Sequence, residues 1–457
     1  MAKAMAMGKR AAAAKANAVA DWTVLVYLAG DNNLDGAGVV DLLEMKKVGS
    51  SDRVHVLAQF DRSGVKQTTK RYRLSQGTKL AADVLEDLGE TNTGDPKVLR
   101  EFLSWGVTTY PARHYLVVLW NHGSGWDDSN LYAAHGDYFS GDAPPIARKG
   151  VAIGAGGMVA RAVAVTPAAA GKQRAIPLAQ ARAAVRRARR ALFSTTVKSM
   201  VQSRAIAFDD QAKDFLDNIE MKGVVRDIQR LIGRRIDILG FDACLMSMLE
   251  VAYQVKGAAA FTVGSQEEEP NDGWPYDRVL KSLSANPAMS PAELSGAIVR
   301  HYLASYGANA GVTFSAIDLG RTDAVALAVD RLGTALSVAL SDAPARKALS
   351  LVRGQVQEYS APYDDYVDLV DLCDGLIKLM KRADVAVACK QVKAAVTAMV
   401  LDSGAKGAKV ARSHGTSIYF PKRQVCKLYA TLDFAKKSAW AKFINAYAAS
   451  LAARGWD

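Results

Sequence analysis

The chain has 457 residues, half of them apolar and 23% charged, which excludes both a single ordinary core and a disordered polymer and fits two or three globular units. Lys and Arg number 58 against 46 Asp and Glu, and the net +12 by itself would suggest nucleic acid, an anionic membrane or an acidic partner. The excess is local, however: +4 lies in residues 1–20 and +10 in residues 136–205, which leaves −2 for everything else.

Four cysteines, Cys244, Cys373, Cys389 and Cys426, are too few for a disulfide scaffold and lack the paired spacing of a zinc site. No run reaches the roughly 18 apolar residues of a membrane span. Residues 1–20 are Ala-rich and basic, and Lys and Arg interrupt any h-region, so they read as a disordered tail rather than a secretory signal. By sequence alone this favours the cytoplasm.

Strand-like runs then alternate with helical patterns, the signature of an α/β domain with a largely parallel sheet. Trp22 to Leu28 is a buried-strand run, followed by a helix from about Gly36 to Lys47 and a second strand over Arg53 to Phe60. Lys70 to Leu74 reads as an outer strand. Asp95-Pro96 opens a helix with an N-cap and a proline at the first helical position. His114 to Trp120 is a third buried strand that runs into Asn121-His122-Gly123. From about 136 to 203 the pattern gives way to Gly/Ala-rich, low-complexity sequence with an Arg-rich helical stretch. Alternation resumes near Ile206. Arg235 to Phe241 is a fourth buried strand, ending at Asp242-Ala243-Cys244, and a helix is expected from Leu245 through Gln254. Two more strands follow, over Ala260–Gly264 and Gly311–Ile317. Beyond about Arg321 the chain reads as mostly helical with one late strand, Thr416 to Phe420.

Two strand ends carry chemistry. In parallel α/β sheets, ligands bind outside the carboxyl ends of the strands, so the loops at His122 and Cys244 can share one cleft. A thiol beside an imidazole supplies a nucleophile and a proton shuttle. Gly123 lets backbone N–H groups approach a developing oxyanion. Read singly, a Cys after a buried strand is more often a small core residue.

These residues also carry a resemblance. Asn121-His122-Gly123-Ser124-Gly125-Trp126 and Gly240-Phe241-Asp242-Ala243-Cys244-Leu245-Met246 resemble the two signature loops of the clostripain family of cysteine peptidases. Further landmarks agree in order: Val26 to Leu34, Ala207 to Asp210, Gly273-Trp274-Pro275-Tyr276, and Ser417 to Pro421. The resemblance implies a caspase-like α/β/α sandwich at 21–330, interrupted by a basic insertion at 136–203, with a mostly helical region at 331–457. It implies His122 and Cys244 as the dyad, and the backbone N–H groups of Gly123 and Cys244 as the oxyanion hole. Cleavage after Arg or Lys is implied too, with Asp242 and Asp272 as the carboxylates of the S1 pocket. Paired carboxylates suit a partly desolvated guanidinium. A helix cap and a turn residue are the plain structural alternatives for these two acids. Trp274 and Tyr276 read as packing residues.

No metal is nominated and no cofactor is required. Asp31 to Gly36 begins like an EF-hand loop, but its twelfth position is Leu42, which excludes one. Calcium enters only because some family members respond to it; Glu267-Glu268-Glu269 reads as a solvated acidic turn.

The expected partners are peptides or proteins with Arg or Lys at the cleaved bond, without nucleic acid or a membrane span. The insertion is a candidate intramolecular substrate. Arg148, Lys149, Arg161, Lys172, Arg174 and the cluster from Arg182 to Arg190 lie between the dyad residues, where family precursors are cut. Relatives are often exported, which leaves localisation open. Two rival readings are an inactive relative that binds basic peptides and a nucleic-acid-binding protein that uses the basic insertion.

Overall fold

The computed structural model describes residues 19–64, 66–126, 205–209, 214–359, 365–422 and 424–452. The insertion at 136–203, and with it every candidate processing position, lies outside the described residues.

In chain order, β1 (Ala20–Gly30) leads to α1 (Asp35–Val48), β2 (Val54–Arg62), β3 (Lys70–Arg73), β4 (Val84–Asp87), α2 (Pro96–Thr109) and β5 (Ala112–Trp120). Then come the strands β6 (Ala205–Asp209) and β7 (Asp214–Asp217), α3 (Asn218–Ile232), β8 (Ile236–Asp242), α4 (Leu249–Val255), β9 (Ala259–Gly264), α5 (Tyr276–Ala285), α6 (Pro291–Ser305) and β10 (Val312–Asp318). The rest is α7 (Thr322–Ala339), α8 (Ala343–Gln355), β11 (Glu358–Tyr359), β12 (Tyr366–Asp368), α9 (Leu369–Met380), α10 (Ala383–Met399), β13 (Val400–Lys406), β14 (Ser417–Tyr419), α11 (Asp433–Lys437) and α12 (Trp440–Ala452).

Nine strands form one sheet in the order β13-β10-β9-β8-β5-β1-β2-β3-β4. The five central ones, β9, β8, β5, β1 and β2, are parallel, and the flanking pairs are antiparallel. The central runs are apolar throughout because both faces are covered. Leu25, Tyr27, Val117, Leu119, Leu239 and Phe241 face a core shared with α2, α3, α4 and α7. Val24, Val26, Leu28, Val118, Trp120 and Ile238 face a second core with α1, α5 and α6. Each such large side chain is worth about 1.5–3 kcal/mol on burial. Helices α2, α3 and α6 carry a capping signal where they start. Asp95 Oδ1 accepts from Lys97 N–H at 2.8 Å ahead of Pro96, and capping boxes open α3 (Asp217, Glu220) and α6 (Ser290, Glu293).

Three features differ from the sequence reading. The helix after Cys244 begins only at Leu249, because Leu245 adopts φ +65°, a conformation that cannot start a right-handed helix. The region beyond 330 returns more than one strand. β13 pairs antiparallel with β10 and completes the main sheet, while β11, β12 and β14 form a small sheet. The sequence of β13 contains Ser403-Gly404 and no apolar run, as its edge position allows. Finally, α7 runs through residue 330, so the expected boundary falls within a helix.

Candidate active site

The register of β5 against β8 builds the site. Trp120 pairs with Asp242, so His122 and Cys244 each sit two residues beyond a paired position on adjacent parallel strands. Asn121 N–H still donates to Asp242 O at 3.2 Å, which carries the ladder one step past the strands. The chain after β1, the other neighbour of β5, supplies Asn33, whose Oδ1 lies 3.1 Å from His122 Nε2. In the tautomer where Nε2 donates to Asn33, Nδ1 is the acceptor nitrogen. Burial holds the His122 pKa well below its ordinary value, so the imidazole rests neutral.

The loop at 121–126 is fastened on several sides. Asn121 Nδ2 donates to Ala29 O at 2.6 Å, Tyr366 Oη to Ser124 O at 2.7 Å, and Asn218 Nδ2 to Gly125 O at 3.1 Å. Trp126 is fully buried, edge-on to Tyr419 and Tyr429. Gly123 is obligatory for a spatial reason: a Cβ there would stand 2.3 Å from Cys244 O and 3.1 Å from Cys244 N. The two strand ends therefore touch through bare backbone.

The Cys244 turn is pinned by the segment after β9. Leu245 N–H donates to Glu267 O at 3.3 Å and Ser247 N–H to Ser265 O at 2.8 Å. The sulfur accepts from Glu269 N–H at 3.2 Å and faces the Gly123 N–H as well. Burial pushes the thiol well above its ordinary range, and the Glu268 and Glu269 charges add to the rise. Thiol and imidazole thus both rest uncharged. Of the other cysteines, Cys373 and Cys389 are buried core residues and Cys426 is half-buried.

Beside the thiol lies a narrow cleft with a free volume of about 30 Å³, room for about two waters. Leu34, Asn121, His122, Asp242, Cys244 and Glu269 are among its lining residues, and no Lys or Arg among the described residues lines it. Asp242 points toward the α1/α5 side of the sheet, where its Oδ2 accepts from Tyr276 Oη at 2.8 Å and Trp274 N–H at 3.3 Å. Burial pushes its pKa up to about 7 despite these donors. Gly273, at φ +54°, lets the turn close over this carboxylate, since a Cβ there would lie 2.9 Å from Asp242 Oδ1. Asp41 of α1 stands behind, held by Trp120 Nε1–H at 2.6 Å and raised by burial and by the Asp242 charge.

The sequence reading nominated His122, Gly123, Cys244, Asp242 and Asp272 for this site. The first four line it or build it. Asp272 is an exposed residue of the turn that roofs the cleft and is not among the lining residues; its charge reaches Asp41 and Tyr306. Sequence reasoning gave no site role to Asn33 or Asp41 and read Glu269 as part of a solvated acidic turn. Asn33 follows a strand end next to β5, so the rule that pointed to His122 could have pointed to it. Trp274 and Tyr276 do pack, and both also donate to Asp242. Among the described residues, no group of three or more His, Cys, Asp or Glu side chains is arranged to hold a metal ion. No helix there is long and apolar enough to cross a membrane.

Fold and site together define a caspase-like α/β/α sandwich with a histidine and a cysteine at neighbouring central strand ends. The chain belongs to the clostripain family, peptidase family C11, which it matches over residues 26–139 and 194–447. Clostripain of Hathewaya histolytica is 28% identical over 143 residues, 24% of this chain and 27% of that protein, so this match spans about a quarter of the relative's length. Two solved structures share the fold. A secreted C11 cysteine protease from Bacteroides thetaiotaomicron, in complex with an irreversible peptide inhibitor, has a TM-score of 0.59 at 18% identity, covering 92% of this chain and 99% of that one. An inactive zymogen C11 protease from Parabacteroides distasonis has a TM-score of 0.61 at 18% identity, with the same coverage of 92% and 99%. The family expected from the two loops, and the sandwich it implied, are both found.

Proposed function

We propose that this chain is a cysteine endopeptidase that cleaves peptide bonds after Arg or Lys, with Cys244 as nucleophile and His122 as proton shuttle. The observation that carries this is the register of Trp120 against Asp242, which sets the two side chains level across adjacent strands around a glycine.

The proposed reaction uses that arrangement. Cys244 Sγ attacks the scissile carbonyl as its proton passes to His122, forming a carbon–sulfur bond. The N–H groups of Gly123 and Cys244 hold the oxyanion that develops on the carbonyl oxygen. His122 gives the proton to the leaving amine as the carbon–nitrogen bond breaks. Water, deprotonated by His122, then hydrolyses the thioester and returns Cys244 to its thiol. Both groups rest neutral, so no charge need be buried before substrate arrives. A cationic side chain beside Cys244 offsets the acidic field that opposes its ionisation.

The preference for Arg or Lys is assigned to Asp242, with Asp272 at the exposed rim of the same cleft. The basic insertion between the dyad residues is proposed as an intramolecular substrate cut in a single-chain precursor. The reaction as written draws on no cofactor; activity with and without a chelator tests the calcium expectation. The central experiment uses fluorogenic peptides ending in Arg, Lys or a neutral residue. Wild type is expected to cleave the first two, and Cys244→Ala and His122→Ala neither. Cleavage that survives in Cys244→Ala would end the proposal. On a denaturing gel, two fragments are expected from wild type and one intact chain from Cys244→Ala.

A further inference from the structure

Within the cleft, one acidic side chain lacks what the others have. Both carboxyl oxygens of Glu269 are buried, with no hydrogen bond of good geometry within the described residues. The groups within reach are the Asp242 carboxyl and the Ala243 backbone N–H, neither of them a cation. Burial and the Asp242 charge both oppose ionisation of Glu269, and among the described residues no Lys or Arg lines the cleft to relieve them. A buried carboxylate without a cationic partner is costly and calls for an explanation, and a cation that arrives with the substrate supplies one.

Glu269 is also the residue whose main chain meets the nucleophile, since its N–H donates to Cys244 Sγ at 3.2 Å. A substrate whose carbonyl carbon is at that sulfur has its preceding side chain within reach of the same residue. The exposed Asp272 lacks this position.

We propose that Glu269 and Asp242 are the carboxylate pair that receives the cationic side chain of the substrate, with Asp272 contributing only a long-range field from the rim. This rests on the reading of the chain as an Arg- or Lys-cleaving peptidase and names the residue that sets its specificity. A guanidinium is a planar fork that engages two carboxylates at once, and an ammonium can be shared between them. A neutral side chain of the same size leaves both acids unpaired in a dry pocket, so the pair also rejects wrong substrates. The free volume of about 30 Å³ is too small for a guanidinium with its stem. Occupation therefore requires the 268–273 turn to move outward, and Pro270 and Gly273 bracket its tip.

The test compares Arg-ending with citrulline-ending peptides, which match in shape and differ in charge. In Glu269→Gln, the Arg-to-citrulline ratio of kcat/KM is expected to fall about 100-fold or more, the scale seen when one partner of a buried charged pair is removed. Asp272→Asn is expected to change the ratio less than about threefold. Because the substitution removes a buried carboxyl that has no cationic partner among the described residues, Glu269→Gln is expected to melt no lower than wild type. Glu269→Asp, which keeps the charge on a shorter stem, should fall between the two. Alkylation of Cys244 by iodoacetamide reads out the nucleophile separately. A Glu269→Gln enzyme that keeps its Arg-to-citrulline ratio overturns the proposal and leaves the peptidase reading intact. So does an equal loss on both peptides with a lower melting temperature or slower alkylation, which marks a structural role. A wild type that cleaves neither peptide, or cleavage that persists in Cys244→Ala, overturns the peptidase reading itself.

Discussion

Two of the regions in which the molecule buries acidic side chains treat them in opposite ways. At the seam between the main sheet and the C-terminal strands, Asp368 is fully enclosed and fully served. Its Oδ1 accepts from the N–H groups of Val370 and Asp371 at 3.0 and 2.8 Å and lies 2.9 Å from His414 Nδ1. Its Oδ2 takes the His414 N–H at 2.6 Å and Gln266 Nε2 at 3.1 Å. In and behind the cleft, Asp41 has one donor, Asp242 has two, and Glu269 has no hydrogen bond of good geometry within the described residues. Donors supplied by the chain itself make a carboxylate a clamp. A shortage of donors, with other acids nearby, suits it to receive positive charge, the role proposed above for the cleft acids.

The sharpest way to break this contrast is to neutralise one acid of each kind. Asp242→Asn is expected to lower kcat/KM toward Arg peptides about 10²–10³-fold with no loss of thermal stability. Asp368→Asn is expected to do the reverse. It should cost about 3 kcal/mol in chemical denaturation while leaving the Arg-to-citrulline preference unchanged. If the two variants behave alike, the distinction fails.

Gly123→Ala examines the contact between the strand ends. A methyl group 2.3 Å from Cys244 O must push the two loops apart, and kcat should fall about 100-fold while KM moves little.

The pH profile sharpens the receptor half of the contrast. Asp242 has its pKa raised by burial from near 3.8 to about 7, so the native state holds a proton that the unfolded chain has already released. Its contribution to stability is therefore full below about pH 4 and is lost as pH rises toward 7. Cation binding needs the ionised form, so KM for Arg peptides should fall as pH rises through about 7, while KM for citrulline peptides stays flat. A flat profile for both would show that the pocket acid is already ionised.

The smallest effect is expected at the anchored loop. Tyr366→Phe removes the 2.7 Å hydrogen bond to Ser124 O and should cost about 1 kcal/mol of stability, read as a shift in the denaturation midpoint. Substrate preference should not change.

Much of the site was legible because it sits at strand ends. Apolar runs that stop at Asn121-His122-Gly123 and Asp242-Ala243-Cys244 fix where the loops begin, and the parallel-sheet rule says which edge they share. Asn33 was missed although it obeys the same rule, because a lone Asn carries no chemical signal until the imidazole is seen beside it. The false helix at Leu245 has a local cause: apolar periodicity continues through residues whose backbone is bent by pairing with Glu267 and Ser265. β13 was illegible because an edge strand with a glycine has no apolar run to announce it.

The acidic turn shows most clearly what a linear reading cannot reach. Glu267, Glu268 and Glu269 are chemically identical neighbours, and their charges read as one solvated cluster. Folded, they part company. Glu267 is buried 3.2 Å from Lys409 Nζ, Glu268 is half-buried, and Glu269 turns both its oxygens into the cleft. The sequence by itself determined that the net +12 is confined to a tail and an insertion, that the body is of α/β type, and that a histidine and a cysteine each follow a buried strand. The tertiary structure decided which acids are dry and which lack a partner. That depends on desolvation and on distances across elements far apart in the chain, and neither is written in the order of the residues.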